Sequence, residues 1–177
     1  MARTALSRET LLPRLAAHVL EHGLADASLR PLARAAGTSD RMLIYHFGSK
    51  DALIAALLRH LASLFTASLD AAFPDTHFAS RADCARAVLE LTGDEALRPF
   101  LRVWWDIVAA CARGDAASLE AAGAIMDGLL GWVAAHLPQD DPDPAEGARA
   151  TLTTIEGAQM LAAIDRRGIA KAALSAL

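Results

Sequence analysis

Residues 28–47 read SLRPLARAAGTSDRMLIYHF. This stretch decides the fold. Ser28 is a side-chain type that starts helices, and Pro31 falls in the first turn, where a missing N–H costs little. Ala33 and Gly37 are four residues apart: a small residue where two helices cross, then a glycine able to take the left-handed turn that ends a helix. Ser39 then opens a second short helix over Asp40–Phe47. Leu29, Leu32, Leu43 and Phe47 supply the apolar contacts between the two rods. Helix, three-residue turn and helix in this order predict a helix-turn-helix, with Asp40, Arg41, Met42, Tyr45 and His46 facing outward.

Working outward, the preceding helix has the stripe Leu11, Leu12, Leu15, Ala16, Val19, Leu20 and a stop at Gly23. Pro13 fits if Thr10 is the N-cap, which leaves residues 1–9 as a loose arm carrying Arg3 and Arg8. After Gly48-Ser49 a long helix is expected from about 50 to 72. Further helices follow at about 81–92, 95–113, 116–136, 144–166 and 169–176. No stretch alternates as a strand would. The expected class is all-α, with a three-helix head over 1–50, a larger helical body over 51–177, and about nine helices in all.

Charge is split along the chain. The whole carries −4. Residues 1–50 hold seven Lys/Arg against four Asp/Glu, while the remainder is strongly acidic. A basic module on an acidic body suits contact with a polyanion through one end. The longest uncharged run, Gly128–Gln139, is 12 residues and too short to span a bilayer. No secretory signal is expected from residues 1–20, and Cys84 and Cys111 read as reduced packing residues. A cytoplasmic protein without a membrane span is therefore expected.

The segment Arg8–Leu58 resembles the DNA-binding domain of tetracycline-repressor-type (TetR) transcriptional regulators, through ETLLPRLAAHVLEHG, ASLRPLARAAG, TSDRMLIYHFGSK and DALIAALL. YHFGSK after a short helix is the most specific piece. The resemblance implies a double-stranded DNA operator as partner, a homodimer through the last two helices (about 144–177), and a body that binds a small molecule. It also implies that Ser28, in the DNA-binding set, caps the second helix, that Arg30 reaches phosphate or a base edge, that Ser39 caps the recognition helix, that Tyr45 and His46 touch backbone and flanking bases, and that Lys50 clamps a phosphate. An arginine in the position of Arg30 can pair bidentately with guanine. Phe47 matches a core residue. Met42 and Ile44 depart from the family, which more often has a small or hydroxyl residue and a tyrosine there, and Asp40 brings a negative charge near the DNA backbone.

In the body, the helix 95–113 has the stripe Leu97, Phe100, Leu101, Trp104, Val108 and Cys111, with a polar row in which Arg102 and Asp106 are spaced to pair. In a chain with 5% aromatic residues, Phe100, Trp104, Trp105, Met126 and Trp132 are natural lining for an apolar ligand cavity, with His60 as a polar group beside them. Each would serve equally well as plain core. His18 and His22 lack a third ligand at metal-binding spacing, so no metal or other cofactor is expected. The expected function is a transcriptional repressor with no catalytic residues, released from its operator when a small hydrophobic effector changes the separation of two heads. The alternatives are a small all-α enzyme and a DNA-binding or adaptor protein without a ligand. Against an enzyme, no Ser/His/Asp or Cys/His grouping stands out, and Gly48-Ser49-Lys50 lacks the glycine-rich loop of a phosphate cradle.

Overall fold

The computed structural model describes residues 6–25 and 27–174. Among these there are nine helices and no strand: α1 Arg8–His22, α2 Leu29–Ala36, α3 Asp40–Phe47, α4 Lys50–Ala72, α5 Arg81–Thr92, α6 Arg98–Ala112, α7 Ala116–His136, α8 Pro144–Ala163 and α9 Arg167–Leu174. By compactness the chain divides into residues 1–65 with 98–125, and residues 66–97 with 126–177.

The first unit is organised around leucines. Leu11 and Leu15 of α1, Leu32 of α2, Leu43 of α3 and Leu53 and Leu57 of α4 are all 0% exposed. Burying such a side chain stabilises by roughly 1.5–3 kcal/mol, so this set is the main source of order in the head. The same core takes in Val103 and Ile107 of α6, with Phe100, Trp104 and Cys111 packed against it. It therefore continues well beyond residue 50. Of the expected stripe, Leu97 is buried, Phe100, Trp104 and Cys111 pack against the core, and Val108 is exposed; Val103 and Ile107 beside them are the most deeply buried residues of α6. α6 is apolar on more than one side, so its buried face is wider than the stripe that periodicity picks out.

Two local expectations are corrected. Helix α1 starts at Arg8, capped by Ser7, and Thr10 is the third helical residue of a reciprocal Ser7–Thr10 capping box. Ser7, Arg8 and Glu9 therefore belong to the capped helix rather than to a loose arm, and Arg3 lies outside the described residues. Pro13 sits inside the helix rather than in its first turn. Arg102 and Asp106 do not pair with each other. Arg102 donates to the carbonyls of Leu20 and Glu21, and Asp106 accepts the Leu24 amide at 2.9 Å, so both bind the open end of α1. The last carbonyls of a helix have no partner within it and carry partial negative charge, so a guanidinium satisfies them.

α4 is long and apolar enough to cross a membrane by length and composition. A count of uncharged runs missed this because Arg59 interrupts the run. Its apolar residues Leu53, Leu57, Leu58 and Leu61 belong to the core of the head.

In the second unit α8 packs against α5 and α9. Gly147 allows the Arg81 side chain to lie across α8, since a Cβ there would stand 2.6 Å from Arg81 Nε. Arg81 reaches the Asp141 carboxylate with two hydrogen bonds of 2.7 and 2.6 Å. That guanidinium holds the Asp141 carboxyl below the usual carboxylate range. Burial pushes the Cys84 thiol up to about 12. Gly147 and Ala158 are thus buried within one chain, whereas Met160, Ile164 and Ile169 are exposed.

Candidate nucleic-acid interface

The turn between α2 and α3 is built as the sequence suggests. Gly37 has φ +68° and ψ 37°, and closes the helix with two bonds, from its own amide to Arg34 O and from the Thr38 amide to Ala33 O. This is the double-bonded C-terminal motif that needs a residue with no Cβ penalty at positive φ. Arg14 of α1 donates to the next carbonyl, Ala36 O, at 3.0 Å. Arg14 is therefore tied into the turn and is more than solvated surface.

Ser39 caps α3, its hydroxyl accepting the Met42 amide at 3.3 Å. Ser28 differs. It has the extended backbone of an N-cap and its carbonyl accepts the Leu32 amide, but its side chain makes no capping bond. The expectation that Ser28 caps with its side chain is corrected, and its exposed hydroxyl remains free for another partner. Ser49, not singled out from the sequence, caps α4 through a 3.0 Å bond from the Ala52 amide. A hydroxyl directly before Lys50-Asp51 was the available signal.

The candidate contact residues fall on the surface. Ser28, Arg30, Ser39, Arg41 and Lys50 are exposed, and Tyr45 is 77% exposed. Asp40, Met42 and His46 are half-buried. The rings of Tyr45 and His46 meet edge to face with centroids 5.3 Å apart, while His46 Nε2 is buried with no partner. Phe47 is 4% exposed and belongs to the core. α3 thus offers Arg41 and Tyr45 outward from a helix whose N-terminus carries partial positive charge, a face able to receive phosphate and base edges.

The expected cavity residues are divided between the two units. His60, Phe100, Trp104 and Trp105 belong to the first unit, Met126 and Trp132 to the second. His60 Nε2 is buried without a partner. Trp132 is buried, donates its indole N–H to Asp70 at 2.8 Å and stacks on His136 at 3.8 Å. A cleft of about 440 Å³ in the second unit is lined by Asp70, Phe73, His77, His136 and their neighbours, and by none of those six residues. His18 and His22 stack at 4.3 Å.

The model of the family described as "Bacterial regulatory proteins, tetR family" matches residues 15–57. No curated protein matches the chain. Among solved structures, a transcriptional regulator from Rhodococcus sp. Rha1 is 24% identical, with 96% of this chain and 92% of that one covered and a TM-score of 0.68. SCO7518 from Streptomyces coelicolor A3(2), described as a transcriptional regulator, is 25% identical with 95% of each chain covered and a TM-score of 0.67. The multidrug binding protein EbrR, in complex with imidazole, is 24% identical, with 96% and 87% covered and a TM-score of 0.70. The likeness in fold extends along nearly the whole chain, while the family match falls on the three crossed helices that present Arg41 and Tyr45. Over residues 15–57, the helix-turn-helix head of this protein is similar to the tetR family of bacterial regulatory proteins.

Proposed function

We propose that the protein is a cytoplasmic transcriptional repressor that binds its operator as a homodimer and is released by a small, largely apolar effector. The observation that carries the DNA-binding part is the exposed face of α3, with Ser39 capping its N-terminus and Tyr45 projecting into solvent. Two such heads, one helical turn apart, would enter successive major grooves. The exposed Met160 of α8, Ile164 directly after it and Ile169 of α9 support a dimer surface there. EbrR, described as a multidrug binding protein and solved with imidazole and with proflavin, supports the effector reading.

The effector would act by binding one arrangement of the molecule better than another, since equal affinity for both would shift nothing. Phe100 and Trp104 pack against the head core on the helix whose Arg102 and Asp106 hold the end of α1. A ligand lodging beside these aromatic side chains would disturb α6, and with it the seat of the head. His60 and Trp105, in the same unit, are the further residues we assign to effector contact.

Selection of bound fragments from a random duplex pool tests the reading. Arg30→Ala should then relax preference at one operator position and weaken binding by ~1–3 kcal/mol. Lys50→Ala should weaken binding to all duplexes alike and flatten the salt dependence. Enrichment of no duplex would refute the regulator reading. Tryptophan fluorescence and thermal-shift screens that stay flat across diverse hydrophobic compounds, with no operator release, would remove the effector.

A further inference from the structure

We propose that Arg8 is a positioning residue for operator recognition: it holds the C-terminal half of α3, where Tyr45 and His46 sit, and does not bind phosphate. The proposal rests on the operator-binding reading above. Arg8 is the first residue of α1, yet its Nε donates to the carbonyl of His46 at 2.5 Å, 38 residues away. Its guanidinium carbon lies 5.5 Å from the centre of the Phe47 ring. The two contacts fix both the position and the plane of the group.

The placement is unfavourable for α1 itself, because a cation at a helix N-terminus opposes the dipole. It is favourable for α3. The last four carbonyls of a helix have no partner within it, and a charged donor there satisfies one while complementing the negative end. α3 has eight residues, too few to hold its own shape in water. Its N-terminus is held by Ser39, and Ile44 O is taken by the Gly48 amide. His46 O is taken by Arg8, directly beside the two aromatic side chains offered to DNA.

The same device recurs at the other two head helices. Arg14 donates to Ala36 O at the end of α2, and Arg102 donates to Leu20 O and Glu21 O at the end of α1. Each head helix therefore ends on an arginine from another element, and Arg8 is the member that acts on the recognition helix. A lysine keeps the charge but lacks the planar fork that donates through Nε while lying over a ring. This difference separates positioning from phosphate binding.

The test titrates wild type, Arg8→Lys, Arg8→Gln and Lys50→Ala with the duplex selected by the wild type, and with an unrelated duplex of equal length, across a salt series. Both Arg8 variants should lose about tenfold in affinity for the selected duplex, the scale of one charge-assisted hydrogen bond. They should hold wild-type affinity for the unrelated duplex and a wild-type salt slope. Lys50→Ala should flatten that slope. In the DNA-free protein the amide signals of Tyr45 and His46 should move in Arg8→Lys.

Wild-type binding by Arg8→Lys with unmoved amide signals overturns the proposal, as does a salt slope reduced by about 1 in Arg8→Gln, the mark of a lost phosphate contact. If Arg8→Gln fails to fold, Arg8→Lys and its amide signals still decide. A wild type that enriches no duplex refutes the regulator reading, and this proposal with it. A wild type that binds while Arg8→Lys matches it sinks the Arg8 assignment alone.

Discussion

Ser28 and Ser39 occupy equivalent positions before the two helices of the turn motif, and replacing each by alanine should have different consequences. Ser39 Oγ accepts the Met42 amide at 3.3 Å, whereas Ser28 has an N-cap backbone and no side-chain capping bond. Removing a working serine cap costs about 1 kcal/mol. For a chain of this size, ~1 kcal/mol corresponds to a fall of about 2–4 °C in melting temperature. Ser39→Ala should show that fall, with faster hydrogen exchange at the Met42 and Leu43 amides. Ser28→Ala should melt within about 0.5 kcal/mol of wild type, as a surface substitution that breaks no named contact does. Its effect should appear in DNA binding, measured by fluorescence anisotropy, as a loss of about 0.5–1.5 kcal/mol for one hydrogen bond to the backbone. A Ser28→Ala chain that melts as early as Ser39→Ala, or binds DNA as well as wild type, would show that the division between cap and contact is mistaken.

Acid should destabilise the fold from about pH 4 downward. Glu9 beside the Ser7 hydroxyl, Asp83 beside Ser80 and Arg86, Asp115 beside Ser118, and Asp141 under Arg81 all have folded-state values below the ordinary range. A lowered folded-state value gives stability that is fully present above the unfolded value, near 4, and is lost as pH falls towards the folded one. The urea midpoint should therefore drop between pH 5 and pH 3, and by less in Asp141→Asn. A flat or rising midpoint contradicts this. Cys84 is buried with its thiol pushed up to about 12, and Cys111 is half-buried. Alkylation near pH 8 should label at most one thiol without denaturant and both with it, and two fast-reacting thiols would contradict the packing. Ile164 is 58% exposed on the proposed dimer surface. Ile164→Arg should halve the mass in light scattering and abolish tight operator binding while leaving the melt unchanged; an unaltered mass would place the dimer elsewhere.

The turn motif was legible because it is made of local signals. A glycine four residues after an alanine and a serine two further on each do a job that few other residues do, and Gly37 and Ser39 do those jobs in the fold. Helices α3, α4, α5 and α7 start where their capping or breaking residues put them. α1 was read short because Ser7 and Thr10 are both hydroxyl residues and Pro13 pulled the start towards Thr10. The buried face of α6 was legible only in part, for a different reason. Trp104, Trp105, Ile107 and Val108 surround that helix, so the pattern cannot say which side meets the head. The exposed candidates for DNA contact were legible as polar residues on an outer face. The arginine–carbonyl bonds were not, because an acceptor carbonyl has no sequence identity and Arg8 and His46 are 38 residues apart.

Those bonds change what the basic charge of the head means. Counted from sequence, every Lys or Arg in residues 1–50 is a possible phosphate ligand. In the fold, Arg8 and Arg14 spend hydrogen bonds on the ends of α3 and α2. Among the described residues the side chains of Arg30, Arg34, Arg41 and Lys50 are exposed and make no hydrogen bond or ion pair within the chain. The salt dependence of binding scales with phosphates neutralised, at about 0.9 per contact on duplex DNA. All engaged, these four side chains would contribute about −3.6 per head to the slope on that scale. Helix N-termini, base edges and the joining of two heads add affinity beyond those four contacts. The arginines nearest the turn thus contribute to recognition through the rigidity of the helix that does the reading.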